Sequence, residues 1–429
     1  MDKEVLKELI IQAQEMEIDI IERELEMQFV GRINAIIGPR RAGKTFFIYQ
    51  TIAELKRAGH KDKIIYINFE DERLQPLEDL DAIFNAYYEL YPENTNQKLY
   101  LFFDEIHEAP SWQKFIRRLH ERKEFEICIT GSSSKLLSKE IATELRGRTL
   151  THLILPYSFH EYLTARGIST ERNFEHGKGK FKVKAALHDY VQNGGFPEVV
   201  TVDSPLKVKI LQEYFDMIFY RDLVERYGIR NFDMVREMLL YLINNFALNF
   251  SMNKYHNLLT SQGRKIGKNS LFAYLAAAAD VNLVFIISKF GNLKDQMVNP
   301  KKIYVVDNGL VTAVSSRVSP DTGRLYENLV LVELKRRNRE VYYWKEKREC
   351  DFLVKERSGI SEAIQVCYEI TDENKEREIG GLLEAMERFD LKKGLIITAD
   401  FEGEEQHNGK IIRYEPLWKW LLRPSVSQS

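Results

Sequence analysis

The sequence predicts an α/β chain. A nucleotide-binding parallel sheet comes first, then a helical segment, a helix–helix–hairpin module and a second α/β unit. Two observations carry this. Gly38-Pro39-Arg40-Arg41-Ala42-Gly43-Lys44-Thr45 is a complete phosphate-binding loop, set between an apolar strand (residues 33–37) and a predicted helix (residues 45–56). A second apolar run, residues 99–103, ends in Asp104-Glu105. A strand apolar on both faces belongs inside a parallel sheet, where ligands sit beyond the C-terminal strand ends.

The loop implies specific chemistry. Gly38 and Gly43 let the backbone turn its N–H groups toward phosphate oxygens, and the helix N-terminus adds partial positive charge. Lys44 is placed to reach the β- and γ-phosphates, and Phe46 follows on the first helical turn. The Thr45 hydroxyl is the expected ligand of Mg2+, with Asp104 supporting the same ion. Glu105 is the expected general base toward water. The plainer alternative, that Asp104 and Glu105 only cap the helix after Pro110, does not account for their pairing with the loop.

A third strand, residues 125–130, ends in Gly131-Ser132-Ser133-Ser134. Ser132 is the first candidate to sense the γ-phosphate, and Thr130 the second. Arg146 and Arg148, in Leu145-Arg146-Gly147-Arg148, are candidates for an arginine finger. Acids Glu70, Asp71 and Glu72 follow another strand near the expected site.

Composition bounds the rest. The chain has 429 residues, 44% hydrophobic and 29% charged, with a net charge of −2. It contains no run of eighteen apolar residues, so no membrane span is expected. The N-terminus begins a charged amphipathic helix with Leu6, Leu9, Ile10 and Ala13 on one face, and is not a signal peptide. Three scattered cysteines imply a reducing compartment and a cytoplasmic location. Residues 236–302 carry nine Lys/Arg against three acids, +6, leaving −8 elsewhere. A basic module in an acidic chain points toward nucleic acid, although a solvated lysine-rich face gives the same count.

The element order divides the chain into residues 1–155, 156–235, 236–312 and 320–422. The second is helical, broken at Asn193-Gly194-Gly195-Phe196-Pro197, a turn near the nucleotide site or a hinge. The third reads as helices near 251–259 and 270–279, then strands near 284–287 and 302–307. That is a winged-helix pattern, with Lys265, Lys268, Asn269 and Ser270 at the start of a recognition helix. The apolar residues of that helix, Phe272 to Ala279, leave internal packing or protein contact as the alternative.

In the fourth segment, Glu327 on a helix and Asp351 and Gln365 on strands resemble the metal-binding set of the PD-(D/E)xK, restriction-endonuclease-like fold. That resemblance implies two carboxylates holding Mg2+ and a lysine two residues after the Gln. Cys367 stands at the lysine position, so the module is expected to be degenerate. Lys355 is the substitute to consider.

Gly-Pro-Arg-Arg-Ala-Gly-Lys-Thr, Phe-Phe-Asp-Glu-Ile-His, Thr-Gly-Ser-Ser-Ser-Lys-Leu-Leu and Leu-Arg-Gly-Arg together resemble a group of archaeal and bacterial AAA+-like P-loop ATPases. The similarity extends through Asn193-Gly194-Gly195-Phe196-Pro197 and Tyr304-Val305-Val306-Asp307-Asn308-Gly309 to Asp351 and Gln365. It implies an ASCE-type P-loop NTPase sheet, with the Asp104 strand inside rather than at an edge. It also implies ATP rather than GTP, and no guanine-reading Asn-Lys-x-Asp is found. Expected partners are ATP and ADP, with DNA, a protein partner or further copies of the chain as candidates.

Overall fold

The computed structural model describes residues 3–74, 77–131, 147–170, 174–316 and 321–423. The chain divides into two compact units, residues 1–155 and 156–429.

In the first unit, strands β1 (Ile33–Ile37), β2 (Ile64–Asn68), β3 (Leu99–Asp104), β4 (Phe125–Thr130) and β5 (Thr149–Leu153) form one parallel sheet in the order β2-β3-β4-β1-β5. The β3 strand is internal. Its neighbour β4 separates it from β1, which bears the phosphate loop. Strands β1 to β4 feed alternate residues into cores on the two faces: Ile33, Ala35 and Ile37 on one, Ile36, Phe102 and Cys128 on the other. That is why these strands read as unbroken apolar runs.

Helix α1 (Lys3–Glu15) covers the β2 edge and packs on α3 (Ala82–Leu90), burying Leu6, Ile10 and Ala13. Gln14 donates to the Ile64 carbonyl at 2.9 Å, tying the helix to that edge strand. The predicted N-terminal helix stops at Glu15. Beyond it the chain instead lies along α2 (Lys44–Arg57), where the Arg23 peptide N–H donates to Gln50 Oε1 at 2.7 Å.

The second unit contains a small antiparallel sheet and a larger mixed one. Strands β6 (Asn249–Phe250), β7 (Val284–Ile287) and β8 (Lys301–Val305) are ordered β6-β8-β7. They follow or flank the helices Met252–Ser261 and Lys268–Asp280. Strands β9 (Glu340–Lys345), β10 (Glu349–Glu356), β11 (Gly359–Val366), β12 (Lys393–Thr398), β13 (Gly403–His407) and β14 (Lys410–Pro416) make the sheet β13-β14-β12-β11-β10-β9. Helix Asp372–Arg388 packs on one face of it, with Cys350, Leu353, Leu382, Ala385 and Met386 in a common core.

The break at residues 193–197 is a fixed joint of this unit and not a free hinge. Asp307 Oδ2 accepts the Gly195 N–H and Oδ1 the Gly309 N–H, both at 2.8 Å. Asn308 donates to the Val191 and Leu325 carbonyls at 3.0 Å. Gly194 has φ +72, and a Cβ there would lie 1.8 Å from Asp307 Oδ1. Glycine is therefore required by a buried carboxylate pressed against the backbone.

Candidate functional site

The phosphate loop turns between β1 and α2. Gly38 has φ +148, and a Cβ there would stand 2.0 Å from the Ile154 carbonyl oxygen on the neighbouring chain segment. Gly43, at φ +94, caps α2 in the left-handed region, as does Arg41 at φ +66 within the loop. The buried Lys44 ammonium donates to the Gly38 and Pro39 carbonyls at 3.2 Å each, which holds it inside the loop's curve. Arg40 lies 3.7 Å from Glu70 at the end of β2. Ala42 is buried, and Phe46 on the first turn of α2 is exposed.

Four side chains then converge on Asp104 and Glu105. The Thr45 hydroxyl donates to Asp104 Oδ2 at 2.8 Å, and Tyr66 donates to the same oxygen at 3.2 Å. The Thr130 hydroxyl donates to Asp104 Oδ1 and accepts the Glu105 N–H at 2.9 Å. Glu105 adopts φ +48, in the left-handed region. Its Oε2 is buried without a hydrogen-bond partner, and His107 Nδ1 lies 3.3 Å away. Burial pushes the Glu105 carboxyl up to about 7, against the opposing pull of Lys44. A buried acceptor with spare lone pairs, beside an Asp–Thr pair and a glycine cradle, suits a polarised water and a nucleotide-bound Mg2+. That ion takes one or two protein oxygens and completes its shell with phosphates and water.

Three contributors were given no role from the sequence, although His107 closes the Phe-Phe-Asp-Glu-Ile-His motif. Tyr66 sits mid-strand among apolar neighbours. Arg23 is flanked by Glu22 and Glu24, yet it donates to the Leu155 carbonyl at 3.0 Å and to the Ala42 carbonyl of the loop. His107 follows Ile106 in a short turn. A cavity of about 550 Å³ shares Tyr66 with this cluster, but none of its lining residues belongs to the phosphate loop.

Ser132 and Arg146 lie outside the described residues. Arg148 stands at the start of β5, where its carbonyl accepts the Ile33 N–H and its guanidinium donates to Glu121 at 3.1 Å. Ile33 opens β1 and Gly38 follows its end, so a strand's length of roughly 16 Å separates them. Arg148 therefore does not reach a phosphate held by its own loop.

Glu327, Asp351 and Gln365 do come together in the second unit, but around a lysine from β8. Lys302 Nζ lies 3.0 Å from Glu327 Oε1, 3.1 Å from Asp351 Oδ1 and 2.8 Å from Glu349 Oε1. Gln365 accepts the Asp351 N–H at 3.1 Å and donates to Glu378 at 2.7 Å. Burial pushes the Cys367 thiol up to about 11, leaving it neutral. Lys355 pairs instead with Glu340 at 3.1 Å, so it is no substitute. Among the described residues, no group of three His, Cys, Asp or Glu side chains is arranged to hold a metal ion.

The basic count of residues 236–302 also shrinks on inspection. Lys302 is buried, Lys301 donates to Ser288 and Gln296, and Arg236 and Arg264 pair with Asp216 and Glu237. No helix among the described residues is long and apolar enough to cross a membrane.

Residues 30–163 match the AAA domain family, and residues 184–321 match a domain of unknown function, DUF8612. MJ1544 of Methanocaldococcus jannaschii, described as an uncharacterized protein, is 39% identical over 440 residues, spanning 98% of this chain and 96% of its own. An uncharacterized Haemophilus influenzae protein is 29% identical over 394 residues, spanning 91% and 94%. Among solved structures, the Walker-type ATPase PABY2304 of Pyrococcus abyssi aligns with a TM-score of 0.43 at 16% identity, covering 73% of this chain and 95% of its own. With nearly full-length similarity on both sides and a P-loop sheet over the matched AAA region, the chain belongs to the family of MJ1544, an AAA-type P-loop family.

Proposed function

We propose that this protein is a Mg2+-dependent ATPase that couples its nucleotide state to DNA. The observation that carries the ATPase reading is the convergence of Thr45 and Thr130 on Asp104, with Thr130 also accepting the Glu105 N–H, beside the glycine-bearing loop. Loop N–H groups and Lys44 bind the phosphates. Thr45 and Asp104 hold Mg2+, which supplies charge neutralisation on the phosphate oxygens when bound. Glu105 orients a water and takes its proton, and its buried Oε2, which accepts no hydrogen bond, is suited to that step. Thr130 positions both acids. Arg148, remote from its own loop, would serve only the nucleotide of a second copy.

The DNA part rests on the helix–helix–hairpin of residues 251–305, read as a winged helix. Helix Lys268–Asp280 buries Leu271, Leu275 and Ala278 and leaves Lys268, Asn269 and Phe272 exposed beside Lys265. An outward face with cations and hydrogen-bonding groups is what a groove-reading helix presents. The restriction-endonuclease-like sheet is taken as a non-cutting module. A second reading, an ATP-gated switch acting on protein partners, is favoured by one feature. Leu293, Met297 and Val298, between β7 and β8, are 72–75% exposed, an apolar tip more suited to protein than to phosphate.

Steady-state ATPase activity with and without duplex and single-stranded DNA tests both, with Glu105→Gln as control. Stimulation by DNA that vanishes in the variant supports the coupled reading. Hydrolysis indifferent to DNA favours the protein switch. ATP binding without hydrolysis in the wild type would sink the ATPase reading.

A further inference from the structure

We propose that the Lys302 ammonium is the built-in cation of a carboxylate site that would otherwise accept a divalent metal ion. In this chain the restriction-endonuclease-like unit therefore stays metal-free and silent. The inference is independent of the ATPase reading.

The stoichiometry is the first argument. An ammonium has three N–H donors and no acceptor. Lys302 is 2% exposed and meets three carboxylates, Glu327, Asp351 and Glu349, at 2.8–3.1 Å. It arrives from β8, outside the six-stranded sheet that carries Glu349 and Asp351. The sheet's acids are thus answered by a cation from a different element.

The second argument is that other polar contacts already engage the cluster. Asp351 Oδ2 accepts the Val366 N–H at 3.1 Å. Glu327 Oε1 also accepts the Tyr304 hydroxyl at 2.6 Å. Both ends of the Gln365 amide are engaged, with Asp351 and Glu378. A Mg2+ or Mn2+ ion requires oxygens at about 2.0–2.1 Å with lone pairs directed at it. Here the ammonium occupies the point where those lone pairs converge, and a second cation beside it would be repelled.

The third argument is residual charge. Of the two ammonium groups at these three carboxylates only Lys302 meets Glu327 and Asp351, since Lys345 lies 3.0 Å from Glu349 Oε2 alone. Deleting the Lys302 ammonium leaves converging acids that need a replacement cation.

Manganese binding by the nucleotide-free full-length protein tests this. It is followed by calorimetry and by the Mn2+ resonance signal, in an Asp104→Asn background that removes the nucleotide-site carboxylate. The wild-type cluster is expected to bind no Mn2+ that depends on Asp351. Lys302→Met is expected to gain one Mn2+ site, to lose it again when combined with Asp351→Asn, and to melt at a higher temperature with Mn2+ than without. Asp351-dependent Mn2+ binding with Lys302 intact would overturn the proposal and make Lys302 the positive charge of a working metal centre. A folded Lys302→Met that binds no Mn2+ would overturn it too, since protons would then be replacing the ammonium. If Lys302→Met does not fold, the comparison of Lys302-intact protein with and without Asp351→Asn still decides.

Discussion

The Thr130 hydroxyl accepts the Glu105 peptide N–H at 2.9 Å while donating its own proton to Asp104. One side chain at the end of β4 thus fixes both acids at the end of β3. It also holds Glu105 at φ +48, which a non-glycine residue adopts only when its surroundings impose it. Thr130→Val keeps the shape and removes the hydroxyl. It strands a buried N–H and a carboxylate oxygen, costing about 1–3 kcal/mol. Turnover is expected to fall roughly 10–100-fold as Glu105 loses its aim, with nucleotide affinity changed little. Parallel measurements of kcat and ATP-analogue binding check this. Equal losses in both would refute a positioning role.

Gly38 gives a sharper test of the loop. Its φ of +148 and the 2.0 Å approach to the Ile154 oxygen leave no room for a methyl group. Gly38→Ala must therefore move the loop or the Ile154 backbone. Nucleotide binding is expected to drop at least about 100-fold, and stability by about 2–4 kcal/mol, within the range of strain and overpacking defects. Binding of a fluorescent ATP analogue and urea denaturation report the two effects. Unaltered binding would mean that the cradle is not formed as described.

The exposed face of helix Lys268–Asp280 yields a salt-dependence prediction. Lys265 and Lys268 are solvent-exposed, and Lys268 is held toward Asn253 at 3.1 Å. If each neutralises one phosphate, replacing both by alanine lowers the slope of log affinity against log salt by about 2. Fluorescence anisotropy with a labelled duplex at several salt concentrations measures that slope. An unchanged slope removes this face from the DNA reading.

The first unit was legible because its signals are local. A strand buried on both faces must read as an apolar run, and the phosphate loop is a contiguous string whose glycines answer steric demands inside the same few residues. The misses came from long-range contacts. Lys302 looks like one more surface cation, and only the fold brings it to Glu327 and Asp351. Arg148 looks like a free arginine until β5 is seen to run parallel to β1, which puts it at the wrong end. The Asn193–Pro197 break reads as a hinge because glycines are usually permissive. Here Gly194 is demanded by Asp307, more than a hundred residues away, and Gly195 by the Tyr157 backbone.

That joint has its own pH signature. Asp307 is fully buried, and desolvation pushes its carboxyl up to about 6, although the N–H groups of Gly195 and Gly309 pull it down. In the unfolded chain it titrates near its ordinary value of 3.8. A raised folded value means that the unfolded state ionises first as pH rises. The stabilisation from the protonated group is complete below about 4 and is lost progressively as pH climbs through about 6. The full swing, about two pKa units, is about 3 kcal/mol. Asp307→Asn cannot ionise and carries no such slope. Denaturation of both proteins at pH values near 4 and 7 should show the stability advantage of the wild type over Asp307→Asn shrinking by that amount. Taking the difference cancels every other titrating group common to the two chains. A gap that stayed constant or widened with pH would mean that the Gly195 and Gly309 N–H groups outweigh burial and hold Asp307 ionised throughout.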